Sequence, residues 1–179
     1  MSDPEGPVPF RSILENHPDY VRAIGMINIE VGNLEITLGR LLGALLNVQD
    51  TVGQVVYLTP RSAFGRLEII ENVVDTIIGR EGGGHQYLQG LVRRAKAILG
   101  KRHELMHGLW GVTDEKVGIY SLPLEGDDAK PKPISLESLH TIIQDIRTLV
   151  ATVHLTTAQL YRQNYWPQSF YEITIRLGD

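Results

Sequence analysis

Between Asp19 and Val48 the apolar residues Ile24, Ile27, Val31, Leu34, Leu38, Leu41 and Leu45 recur with unbroken 3-4-3-4 spacing. That period lays all seven side chains along one stripe of a long helix. So long a stripe needs another helix along its length, which commits the chain to helix-on-helix packing. A second column runs on the same segment. Gly25, Gly32 and Gly39 recur every seven residues, with Ile29 and Ile36 beside them. Glycine inside a helix costs about 1 kcal/mol relative to alanine, so three in register point to the close approach of another backbone. The helix therefore carries two contact faces, one for its own bundle and one for a second subunit. The alternative is a central helix packed on both sides within one chain. Asn28, Glu35 and Gln49 fall between the faces as half-buried polar positions.

Three more long helices are expected. Thr59-Pro60 reads as a helix start, with threonine capping and proline in the first turn. Phe64, Leu67, Ile70, Val74 and Ile77 continue that helix to about Arg80. Glu81-Gly82-Gly83-Gly84 is a break that lacks the G-K-[ST] ending of a phosphate-binding loop. The third helix spans about His85 to His107, with Leu88, Leu91, Ala95, Ile98, Leu99, Leu105 and Met106 as its stripe. Ser135 caps a fourth, striped by Leu136, Leu139, Ile143, Ile146, Val150, Val153 and Leu160, with His140 and His154 off the stripe. Between the third and fourth helices, 109–112 and 117–122 are short β-like runs about Thr113-Asp114-Glu115-Lys116, a hairpin, and 126–133 reads as a loop. Residues 1–18, with four of the nine prolines, form an N-terminal arm. The body covers 19–165, and the tail 166–179 holds an alternating stretch, 171–177, with the pattern of a strand. The expected fold is all-α: a four-to-five-helix up-and-down bundle with a small β-hairpin appendage.

Composition limits the chemistry. The chain of 179 residues has no cysteine, so disulfides, thiolate metal sites and cysteine nucleophiles are excluded; the composition fits a reducing, cytoplasmic setting. Met1 to Pro7 has neither the basic nor the apolar region of a signal peptide. No uncharged apolar run approaches the roughly 18 residues of a membrane span. With a net charge of −4, any contact with RNA must come from a local basic site.

That site is sought in Lys101-Arg102-His103-Glu104-Leu105-Met106-His107-Gly108-Leu109-Trp110, where cations, two imidazoles and a carboxylate crowd together. His103-Glu104-Leu105-Met106-His107 spells H-E-x-x-H, a zinc-protease helix motif in which His103 and His107 would share a metal and Glu104 would act as base. Its surroundings argue against it. The third histidine would fall at Thr113, the expected glycine is Trp110, and the downstream glutamates Glu125 and Glu137 have no supporting motif. No metal or other cofactor is expected. Arg102 is the more informative residue. It lies seven positions after Ala95 and fourteen after Leu88, on the apolar stripe, where a cation needs a partner or an opening to water. Arg102 therefore marks a site; the alternative is that it pairs with a carboxylate such as Glu35 or Glu68 and only pins two helices.

Arg102 to His107 also spells R-x4-H. With His103 after the arginine and Gly108 after the histidine, at the end of the third of four long helices, the segment resembles that of HEPN domains. Asparagine is the commonest residue after the arginine in that family, with histidine and aspartate as variants. The resemblance covers the helical arrangement from about 19 to 163, and sequence-specific similarity is confined to about ten residues. It implies a helical bundle that dimerises so that two R-x4–6-H motifs meet in one cleft. It also implies either a metal-independent ribonuclease of a toxin–antitoxin, phage-defence or RNA-processing system, or a non-catalytic interaction module. Arg102 and His107 would be the catalytic pair, His103 and Glu35 would support them, and RNA, a second copy of the chain and a cognate antitoxin or other protein would be partners. The chemistry stands independently. Imidazole titrates near neutrality and can move protons, while guanidinium offers a planar fork to phosphate. On a continuous helix the two side chains diverge by about 140°, so they converge only if the helix ends at His107 or a second subunit supplies the partner.

Overall fold

The computed structural model describes residues 13–113, 116–120 and 132–162. Among them the protein is mainly helical. A short 3-10 helix, Ile13–Asn16, precedes α1 (Pro18–Leu45), α2 (Asp50–Leu58), α3 (Ala63–Ile77) and α4 (Gly83–His107). Strands β1 (Leu109–Thr113), β2 (Lys116–Tyr120) and β3 (Lys132–Pro133) follow, and α5 (Leu136–Arg162) completes the order. The first twelve residues of the expected arm, the tail strand at 171–177 and Glu125 lie outside the described residues.

Helix α1 is the axis of the fold and touches each of the other four helices. Its stripe explains why. Ile27, Leu34, Leu38 and Leu41 are fully buried, and Val31 and Leu45 nearly so. Each such side chain stabilises the fold by about 1.5–3 kcal/mol relative to exposure. The helix stops at Leu45, three residues before Val48, because Asn47 takes a left-handed conformation with φ 53°. The Asn47 N–H then bonds to the Ala44 carbonyl and the Val48 N–H to the Gly43 carbonyl, closing a Schellman turn.

Helix α2 has no counterpart in the sequence reading. It buries only Gly53 and Tyr57, while Val52, Val55 and Leu58 face outward, so its contact face is nearly devoid of apolar signal. Thr59 ends α2 and does not start α3; the N-cap is Ser62, whose Oγ accepts from the Gly65 N–H at 3.0 Å. Phe64, assigned to the α3 stripe, is exposed.

The glycine column divides between two duties. An ideal Cβ on Gly39 would stand 3.0 Å from Gln54 Cγ, and one on Gly53 would stand 2.4 Å from Gly43 Cα. Gly39, Gly43 and Gly53 therefore let α1 and α2 cross with backbones nearly touching. A Cβ on Gly25 or Gly32 would meet nothing within 4 Å. The single partner expected for all three glycines of the column is thus, at Gly39, an element of the same chain.

Helices α3 and α4 pair on the other side of α1. The turn between them uses Gly79 at φ 79° and Gly82 at φ 102°. Asp75 accepts from His85 Nε2 at 2.8 Å and Gln89 Nε2 at 2.9 Å, and Lys96 grips both oxygens of Glu71. Helix α5 buries Leu139, Ile146, Leu149 and Val153 on α1, and Arg147 reaches Glu30 at 2.7 Å. Ser135 Oγ accepts from the Ser138 N–H, capping α5. His140 and His154 are exposed. β1 and β2 pair antiparallel from Leu109 opposite Tyr120 to Thr113 opposite Lys116. Lys132 and Pro133, within the stretch expected to be a loop, add a short third strand beside β2. No helix among the described residues is long and apolar enough to cross a membrane.

Candidate functional site

Helix α4 delivers the motif residues at its last two turns. The helix stops at His107 because Gly108 leaves the helical region at φ −74° and ψ 147°, while its N–H still closes on the Glu104 carbonyl. Trp110, just beyond, anchors the exit: its Nε1 donates to the Leu105 carbonyl at 3.1 Å and its ring meets Tyr20 edge-on at 6.5 Å.

Arg102 is half-buried against α1. Its Nε donates to Asn28 Oδ1 at 3.0 Å, and the other end of that amide donates to Met106 Sδ at 3.0 Å. The partner of Arg102 is therefore an amide, not Glu35 or Glu68. Glu35 is taken by Arg66, whose Nη1 donates to it while its Nε holds the Pro60 carbonyl. Asn28 is an uncharged partner, and the two terminal nitrogens of Arg102 make no hydrogen bond among the described residues.

Those nitrogens belong to a side chain lining a cleft of about 660 Å³ between α1, the start of α3 and the end of α4. Arg61, Arg66, Arg102 and His103 line it, and Glu35 is its single carboxylate. Three guanidiniums against one carboxylate make a cationic pocket in a chain of net charge −4. Gly32 also lines it, so the open glycine face of α1, with Ile29 60% and Ile36 49% exposed, borders the cleft. Arg61 and the cleft itself were missed from sequence. Arg61 lies about 40 residues before the motif, and only the α2 crossing brings it there.

The structure places Arg102, His103 and Glu35 around one cavity. His107 does not line it. Its ring lies against His103, with centroids 4.4 Å apart and planes tilted by 46°. The two imidazoles thus sit on one helix face, as a metal site would need. No group of three His, Asp or Glu side chains able to hold a metal ion occurs among the described residues, and Glu137, one of the suggested third ligands, is exposed on α5. Among the described residues, His103 and His107 have no third ligand beside them.

No family model, curated protein or solved structure matches this chain.

Proposed function

We propose that this protein is a HEPN-like, metal-independent ribonuclease acting as a homodimer, an up-and-down helical bundle with a hairpin appendage, at home in a toxin–antitoxin or phage-defence system. The observation that carries the reading is Arg102: a cation held in place by an uncharged amide, with its phosphate-binding fork unspent, in a cleft of net positive charge. A guanidinium so placed suits the charge that develops on a phosphate under attack. In the reaction an imidazole takes the proton of the RNA 2′-hydroxyl. The freed oxygen bonds to phosphorus, the bond to the 5′-oxygen breaks, and a second imidazole returns a proton to that oxygen, leaving a 2′,3′-cyclic phosphate. His107 and His107 of the partner subunit fill these two roles.

The open Gly25 and Gly32 face supports the dimer. A second copy seated there borders the cleft and brings its own α4 end toward Arg102. His103 stands between Arg102 and His107 and supports both.

One observation favours a second reading. Within one protomer His107 lies outside the cleft, as it would in a non-catalytic interaction module that keeps only the bundle. Incubation with total RNA in EDTA separates the two. The nuclease predicts cleavage by wild type that is lost in Arg102→Ala and His107→Ala; equal inertness of all three rejects it in favour of the module.

A further inference from the structure

By sequence, Phe64 belongs to the buried stripe of α3. In the structure it is 47% exposed and lines the cationic cleft together with Arg61 and Arg102. Its ring is therefore accessible from the cleft. Arg61, three residues earlier, is exposed and makes no hydrogen bond or ion pair among the described residues. The Ser62 cap fixes the backbone between them.

An exposed aromatic ring flanked by unspent guanidiniums is the equipment that receives an unstacked base and its phosphate. A duplex hides its base faces in the stack and cannot use the ring. We propose that Phe64 and Arg61 form a nucleotide subsite that admits single-stranded RNA and rejects duplex, with the base stacked on Phe64, its phosphate on Arg61 and the neighbouring phosphate on Arg102. This rests on the ribonuclease reading and assigns it a substrate form. The sequence carries no aromatic-basic interleaving near Arg102. The combination arises only in space, where the start of α3 meets the end of α4.

The test uses a 2′-O-methyl oligonucleotide, which lacks the attacking hydroxyl, as a labelled single strand and as a duplex, by fluorescence anisotropy on the full chain. The single strand should bind at least about tenfold more tightly than the duplex. Phe64→Ala should weaken single-strand binding by about 5- to 100-fold, and Phe64→Tyr should retain it. Arg61→Ala should flatten the slope of log affinity against log salt by about 0.7. Equal binding of single strand and duplex would overturn the subsite. So would a Phe64→Leu variant that binds like wild type, or a Phe64→Ala variant that binds normally but loses self-association. Because this probe cannot be cut, binding with no cleavage of ordinary RNA rejects the ribonuclease reading alone. Cleavage with a silent Phe64→Ala rejects the subsite alone.

Discussion

Replacing the glycines of the α1–α2 crossing one at a time by alanine should produce a stability series ordered by the space each methyl would enter. At Gly53 the added carbon would lie 2.4 Å from Gly43 Cα and Gly43 N and 2.7 Å from the Gly39 carbonyl oxygen. Carbon–carbon contact is comfortable at about 3.5–4.0 Å, so the helices must part by about 1 Å. The obstacle is backbone on both sides, which cannot rotate away. Overpacking of this kind costs about 1–3 kcal/mol, and the rigid surroundings put Gly53 at the upper end. Alanine returns about 1 kcal/mol of helix propensity. The net loss is about 2 kcal/mol, a fall of about 4–8 °C in Tm for a chain of this size. Gly39→Ala meets flexible Gln54 Cγ at 3.0 Å and Gln54 Cα at 3.1 Å, a smaller loss. Gly43→Ala finds its nearest neighbours at 3.4 Å and should be close to neutral. Gly25→Ala enters open space and should stabilise. Thermal unfolding followed by circular dichroism gives the order directly. A Gly53→Ala protein that melts at or above the wild-type temperature would show that the helices do not cross at backbone contact.

Three further outcomes follow from the same geometry. Gly25→Ala, studied at concentrations where the chain is monomeric, should raise stability by about 0.5–1 kcal/mol; in sedimentation experiments the same methyl should weaken self-association, and unchanged association would place the dimer contact elsewhere. Asn28→Ala removes the acceptor of the Arg102 Nε and the donor to Met106, and should cost about 1–2 kcal/mol in denaturant unfolding, with Arg102 half-exposed to water; a larger loss of oligonucleotide affinity than of stability would mark Asn28 as a positioning residue for Arg102. The Arg147 hydrogen bond holds the Glu30 carboxyl below the ordinary glutamate value of 4.5, and the His85 hydrogen bond lowers that of Asp75 below 3.8. Both depressed groups contribute stability that is present above those ordinary values and is lost as pH falls through the lower, folded ones. The stability difference between wild type and Glu30→Gln should therefore be full near neutral pH and fade below about pH 4; a difference constant from pH 7 to pH 2 would rule out the ion pair as its source.

Much of the helical order was legible because burial leaves a period. The Ile27-to-Leu45 stripe and the Leu139-to-Leu160 stripe are apolar at nearly every core position, with only Thr37, Thr156 and Thr157 buried as polar exceptions, so their helices follow from spacing. Gly108 after His107 marked the end of α4. What escaped reading was contact that uses no apolar side chain. Helix α2 meets the core through glycine backbone, Tyr57 and a partly buried Val56, while Val52 and Val55 point outward; a pattern-based reading sees valines without a matching face. The Arg66–Glu35 pair joins residues 31 apart and takes up one of the two carboxylates that Arg102 could have paired with. An asparagine does that work instead, and no spacing rule distinguishes a side-chain amide that holds a cation from one that faces water. Phe64 fits the α3 period, yet it falls in the first turn, where the helix projects past the core.

Backbone contact between α1 and α2 also fixes where the chain enters the cleft. Tyr57 lies four residues beyond Gly53, and Pro60 and Arg61 follow within one more turn of chain. The Arg66 side chain clasps Pro60 from behind. The crossing is set by main-chain atoms, and the chain that leaves it runs to the mouth of the cleft. A methyl group at Gly53 would have to displace main-chain atoms on the path that leads through Tyr57 and Pro60 to Arg61, whereas the exposed Val52 and Val55 can change without touching that path.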